Sequence, residues 1–152
     1  MAMFTGIVQY KAAVRSFVRN DFGGRLVVER GTWRPACAIE PGHSICVSGV
    51  CLTVVTSDSH TMAFDVIAET LAKTSLGTLS AGDAVNIEHA LLPTTPMGGH
   101  FLQGHVDAVG RVARVIYNNE ECRRSVTPPA EVMEYIVPEG SVGIDGVSLT
   151  VA

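Results

Sequence analysis

The sequence has little charge, and what it has is not organised. Only 17% of its 152 residues are Asp, Glu, Lys or Arg, the net charge is −4, and the eleven Lys and Arg are scattered. Arg123-Arg124 is the nearest thing to a basic cluster, whereas a nucleic-acid surface needs a concentrated positive stripe; no nucleic-acid partner is expected. No apolar run approaches the ~20 residues of a membrane helix, so no membrane partner is expected either. The opening "MAMFTGIVQY" lacks the basic start, apolar block and small-residue cleavage site of a secretory signal. Cys37, Cys46, Cys51 and Cys122 show no C-x-x-C spacing and read as free thiols in a reducing compartment, which points to the cytoplasm. Trp33, in "GTWRPA", has no second aromatic nearby, and packing in core or loop is its default reading. What the chain does have is apolar material, 47% of its residues, enough to bury one good domain and part of another.

Most of that material is arranged as strands. "GIVQYKAAV", "RLVVE", "SICVSG", "VCLTVV", "TMAFDVI" and "AVNIE" are short runs rich in Val, Ile and Thr. They are separated by the turn signals "NDFGG", "EPGH", "SDSH" and "SAGD". Strands so spaced predict an all-β chain closed into an antiparallel barrel rather than a βαβ fold. Two short helices are expected. One spans Glu69 to Gly77 with Gly77 as its stop; the other lies in "TPPAEVMEYI", capped by Thr127 with Pro128 in the first position. Two prolines and two glycines make "LLPTTPMGG", Leu91 to Gly99, a connector, and the chain divides near residue 97 into units of residues 1–97 and 98–152.

The two units repeat one another. "GVCLTVV" from Gly49 recurs as "GVSLTVA" from Gly146, with Cys51 and Ser148 standing 97 residues apart. At that spacing Ser44 meets Ser141, and Leu52, Thr53 and Val54 meet identical residues. "TGIVQYKAAV" lines up with "QGHVDAVGRV" at a spacing one residue longer. Two stretches in register identify an internal duplication about one barrel long. The second copy stops at Ala152, opposite Val55, so counterparts of "FDVIAETLAKTSLG" and "AVNIE" are not in the sequence. Alternation along a strand places Val50, Leu52 and Val54 on one face and Cys51, Thr53 and Val55 on the other. The first face suits a core. Cys51 and Thr53, like Ser148 and Thr150, would then present a thiol or hydroxyl to a ligand, although spacing alone favours reading Cys51 as a small, inert, half-buried residue.

"MFTGIV", "GVCLTVV", "FDVIAETL", "TSLG", "VNIEHAL" and "GGHFLQGHVD", in this order, resemble the riboflavin synthases of the alpha-chain type in the lumazine-binding family. The resemblance runs from Met3 through the rest of the chain. It implies a six-stranded Greek-key barrel followed by an incomplete second copy. It also implies a reaction in which one 6,7-dimethyl-8-ribityllumazine passes a four-carbon unit to another, giving riboflavin and 5-amino-6-ribitylaminopyrimidinedione. No metal or organic cofactor takes part. The family site forms between barrels of neighbouring subunits, and a homo-oligomer, a trimer in the family, is therefore expected.

By the same resemblance, substrate contacts in the first unit fall on Gly6, Ile7 and Val8, on Cys51, Leu52 and Thr53, and on Asp65, Val66, Ile67, Ala68, Glu69 and Thr70. Backbone groups there suit a pteridine edge, which alternates donors and acceptors, and Glu69 suits ribityl hydroxyls. In the second unit the contacts fall on Gly104, His105 and Val106, on Ser148, Leu149 and Thr150, and on Glu139. Cys51, His105 and Ser148 are the catalytic candidates. His105 suits proton transfer near neutral pH, and Cys51 would either add to the acceptor ring as a thiolate or orient it. "GGH" with His100 reads as a tight turn, and His43, His60 and His89 as solvated turn or strand-end residues, with no metal site.

Three features depart from the family pattern. Met1-Ala2 precede the usual start, Ile116 to Pro129 matches poorly, and the second barrel lacks its later strands and the family's trimer-forming helix. Ligand binding by the first barrel with weak or no turnover is the expectation for a chain so cut. The rival reading is a lumazine- or flavin-binding protein of the same family without catalysis.

Overall fold

The computed structural model describes residues 2–118 and 121–152. Six strands, β1 (Tyr10–Asn20), β2 (Gly23–Glu29), β3 (Ser44–Val47), β4 (Val50–Ser57), β5 (Thr61–Ile67) and β6 (Ala84–His89), close an antiparallel barrel in the order β1-β2-β5-β4-β3-β6. Closure leaves no open edge and turns one face of every strand inward. Leu26, Val28, Ile45, Val47, Met62, Phe64 and Ile87 are fully excluded from solvent there. On β4 the buried residues are Val50, Leu52 and Val54, while Cys51 is half-buried and Thr53 exposed. The alternation in the sequence is the alternation in space.

The second unit repeats the course of the first without closing. Strands β7 (Arg111–Asn118) and β8 (Glu121–Thr127) form one hairpin, β9 (Ser141–Ile144) and β10 (Val147–Thr150) another. Local detail is copied with them. β1 is bulged between Val14 and Ser16, and β7 between Val112 and Arg114, 98 residues on. The β3–β4 turn places Ser48 and Gly49 at φ 46° and 86°; Asp145 and Gly146, 97 residues on, take 52° and 79°. Two successive positive φ values make the two-residue turn whose twist matches a hairpin. Gly42 and Glu139 share a positive φ, and each donates its N–H to the equivalent carbonyl, Val54 at 2.8 Å and Val151 at 2.9 Å. The Ile116–Pro129 stretch, poorly matched in sequence, thus keeps the hairpin; its Asn119 and Glu120, like Met1, lie outside the described residues.

Several boundaries differ from those read in the sequence. The first strand starts at Tyr10 rather than Gly6, because Gly6 sits at φ 73° and leaves extended backbone, and it runs on to Asn20. Helix α1 (Ala68–Lys73) begins one residue early and ends at Thr74, whose extended backbone separates it from a 3-10 turn over Ser75–Thr78. The Thr74 hydroxyl donates to Thr70 O at 2.7 Å and accepts from Leu76 N–H, so the break comes from a polar side chain and not from Gly77. Thr127 caps nothing. It pairs with Arg111 as the last residue of β8, and the 3-10 turn Ala130–Tyr135 starts after Pro129 with no side-chain cap.

Candidate functional site

The site is built outward from one buried carboxylate. Glu88, 2% exposed, points away from the core on β6 and accepts from Thr5 N–H, the Thr5 hydroxyl and Gly6 N–H at 2.6, 2.7 and 2.9 Å. Three donors to one ionised group make a charge-assisted clamp on the segment before β1. Residues 4–6, rather than entering a strand, are thereby laid across the barrel's outer surface.

The clamped segment reaches the other unit. Phe4 and Leu102 exchange N–H and carbonyl bonds at 2.8 and 3.0 Å, an isolated antiparallel bridge between equivalent residues of the two copies. On either side of that bridge the pairing crosses over. Gly6 O accepts from Ser148 N–H at 2.8 Å, and Gly104 O accepts from Cys51 N–H at 2.8 Å. Each repeat thus lends its leading segment to the other repeat's site strand. Both glycines stand at φ 73°. A Cβ on Gly6 would lie 2.7 Å from Ser148 Cβ, and one on Gly104 2.6 Å from Cys51 Cβ, so only glycine permits either approach. The facing turns also touch: a Cβ on Gly49 would meet Gly146 N at 3.0 Å, and Asn86 Nδ2 donates to both the carbonyl and Oδ2 of Asp145 at 2.9 Å. This contact explains why Cys46 is buried although it faces out of the barrel.

The crossing redistributes the predicted site residues. Gly104, His105 and Val106 lie beside Cys51 on the first barrel, with His105 exposed and Val106 packed on the first barrel's core. Gly6, buried, lies beside Ser148; Ile7 is 48% exposed and Val8 half-buried. Leu52 and Val66 are core residues, which leaves only their backbone open to a ligand, whereas Thr53, Ile67, Leu149 and Thr150 are solvent-facing. Asp65 is engaged outward by Arg25, Nε to Oδ1 and a second guanidinium nitrogen to Oδ2, both at 2.8 Å, and this pairing holds its carboxyl below the usual range. Glu69, also exposed, is bonded to Lys73 Nζ at 2.7 Å one helical turn on, which lowers its pKa in the same way. Ala68 donates its N–H to Phe22 O at 3.0 Å, and Thr70 is half-buried. Glu139 is exposed at the left-handed turn described above.

Two chemical expectations change. The Cys51 thiol is pushed above its ordinary value by burial, so it stays protonated at neutral pH and is a weak hydrogen-bond donor rather than a ready thiolate. His100, read as part of a turn, sits with Nδ1 2.7 Å from Ser148 Oγ. Gly99 makes room for that pair, since a Cβ there would lie 2.8 Å from Ser148 Cβ. Sequence spacing could not show a bond between residues 48 apart, though an adjacent Gly-Gly is a signal of close backbone approach.

The family model for the lumazine binding domain matches residues 5–90 and 103–152. The chain belongs to the lumazine-binding family. It is 44% identical over 155 residues to the riboflavin synthase of Mycobacterium tuberculosis, covering 99% of this chain and 74% of that protein. It is 38% identical over 151 residues to the riboflavin synthase of Escherichia coli K12, covering 98% and 70%. Among solved structures it superposes on LumP complexed with riboflavin with a TM-score of 0.83 at 26% identity, covering 97% of this chain and 79% of LumP. LumP complexed with 6,7-dimethyl-8-(1'-D-ribityl) lumazine gives 0.82. The duplicated glycine contacts therefore lie in a lumazine-binding fold.

Proposed function

We propose that this protein is a riboflavin synthase of the cytoplasm, with two lumazine-binding units dividing near residue 97 and a second copy of the chain completing the site. Its reaction is the dismutation of two 6,7-dimethyl-8-ribityllumazine molecules into riboflavin and 5-amino-6-ribitylaminopyrimidinedione. The observation that carries the reading is the crossed pairing, which sets the same strand-and-glycine arrangement twice, once with Cys51 and once with Ser148. Two similar half-sites suit a reaction between two copies of one substrate, where much of the rate comes from holding the rings face to face.

The difference between the half-sites suits a donor and an acceptor. His105, exposed beside Cys51, is the group to move the methyl proton, and the protonated Cys51 thiol and Thr53 hydroxyl orient the ring. Ser148, bonded to His100, offers an oriented hydroxyl at the other ring. The backbone and the Glu69 carboxylate complete ring and ribityl recognition. A second reading, binding without turnover, is favoured by the likeness to LumP. Incubation with the lumazine separates the two. Dismutation consumes two substrate molecules per riboflavin and releases the pyrimidinedione in equal amount, and His105→Asn slows it by ~100-fold or more. A fluorescence change on binding with no riboflavin formed would replace the enzyme reading by the binding one.

A further inference from the structure

Beside strands β3 and β6 of the first barrel, Cys37, His43 and His89 converge. One ligating atom from each lies within 4.8 Å of the other two. The Cys37 sulfur is 3.3 Å from His89 Nε2, and the two imidazoles meet edge to face with centroids 5.8 Å apart. We propose that these three side chains bind a zinc-class divalent cation, with one coordination position left for water.

The two imidazoles are fixed by strand and turn hydrogen bonds, and the cysteine by a loop packed on the core. His89 ends β6 opposite Ile45 of β3 and is only 9% exposed, not the solvated residue its place at a strand end suggests. Its Nδ1 is 2.8 Å from Ala90 O, and a carbonyl can only accept, so the proton resides on Nδ1. Nε2 is left with a free lone pair aimed at the cysteine, which is how metal-binding histidines are commonly oriented. His43 closes the Glu40–His43 turn, donating its N–H to Glu40 O at 3.0 Å and accepting from Val54 N–H at 2.8 Å through its carbonyl. Cys37 is carried by a long loop that Trp33 and Ile39, both in the core cluster, pin on either side of it.

A thiolate and two imidazoles are ligand types that zinc takes, and its tetrahedral bonds of about 2.0–2.3 Å place ligand atoms about 3.5 Å apart. The ligand atoms already lie within 4.8 Å of one another, and the Cys37–His89 pair at 3.3 Å. Binding replaces the thiol proton by the metal and releases it to solvent. The turn itself does not require His43: the second unit copies it at Glu139, with Gly140 at the place of His43. The consequence is a staple between the Gly31–Gly42 loop and strands β3 and β6. It stands independently of the proposed enzymatic activity.

Cobalt(II) titration of the full chain tests it directly. One equivalent should bind with visible tetrahedral bands and a near-ultraviolet thiolate charge-transfer band, zinc should displace it, and zinc should raise the melting temperature. Cys37→Ser should abolish the charge-transfer band, and both it and His89→Gln should weaken zinc binding by ~100-fold or more. Absence of a stoichiometric tetrahedral cobalt spectrum in the unmodified protein overturns the proposal. So does a charge-transfer band that survives Cys37→Ser, since the thiolate would then be another cysteine. The unmodified chain and the partly exposed Cys37 decide the matter even if His89→Gln does not fold.

Discussion

Strands β3 and β9 follow the same course 97 residues apart, yet Ile45 and Val47 of β3 are wholly buried while Val142 and Ile144 of β9 are only half-buried. The contrast widens along β1 and β7. Ala12 and Val14 are 2% exposed, whereas all eight described residues of β7 are exposed, Val115 and Tyr117 at 41% and 76%. Among the described residues every buried hydrophobic lies between Phe4 and Ile87. Bulges, left-handed turns and hairpin register are therefore local properties that the repeat reproduces with or without a core around them. Burial is a property of closure. In the first unit β1 meets both β2 and β6 and the ring is complete; among the described residues the second unit's two hairpins do not pair with each other. The second unit is held instead by its junction with the first, through Leu102, Gly104, Ser148 and Asp145.

That comparison can be broken at its strongest point first. Phe64→Ala in the closed core should cost about 4 kcal/mol in a denaturant titration, while Tyr117→Ala on β7 should stay within about 0.5 kcal/mol. Equal effects would mean that the second unit has a core of its own. Glu88→Gln should cost about 3 kcal/mol, because a buried clamp loses its charge while Thr5 and Gly6 still need an acceptor. It should also weaken lumazine binding, measured by fluorescence, by loosening the segment that contacts Ser148. Gly6→Ala and Gly104→Ala should each cost about 2 kcal/mol, combining a positive φ with a contact under 3 Å. If the crossing is symmetric the two costs match; a much milder Gly6→Ala would show that the first barrel keeps the junction without the second unit.

A last effect, visible only at alkaline pH, concerns Cys46, whose thiol burial raises from the ordinary 9.0 to about 12. A raised folded value leaves stability unaffected below pH 9. Above it the unfolded chain loses a proton that the folded chain retains, so stability falls at up to about 1.4 kcal/mol per pH unit until pH 12. Comparison with Cys46→Ala across pH 8–11 should show that slope reduced, with the part owed to the raised Cys51 thiol remaining, an outcome specific to the first unit because Gly143 stands at the place of Cys46 in the second.

Much of this was legible beforehand. Period-two alternation in "GVCLTVV" assigns Val50, Leu52 and Val54 to the core because a strand has no other way to segregate its side chains. The duplication was readable from heptapeptides, since each carries its own turn and pleat. Ordered motifs identified the family. The cap assigned to Thr127 and the stop assigned to Gly77 failed because strand pairing with Arg111 and the Thr74 hydroxyl override local preference. Gly6 looked like the start of a strand because its neighbours are β-formers, and nothing nearby in sequence reports its φ.

Local chemistry thus determined the strands, the tight turns, the repeat and the kinds of residue each strand offers. Only the tertiary structure decided which copy each segment serves. It hung Thr5 and Gly6 on Glu88, crossed the two leading segments between Cys51 and Ser148, brought His100 to a hydroxyl 48 residues away, and gathered Cys37, His43 and His89. The reason is physical. A strand's pleat depends on its own few residues, but a hydrogen bond or a metal ligand set depends on where a closed sheet carries groups that have no sequence relation to one another.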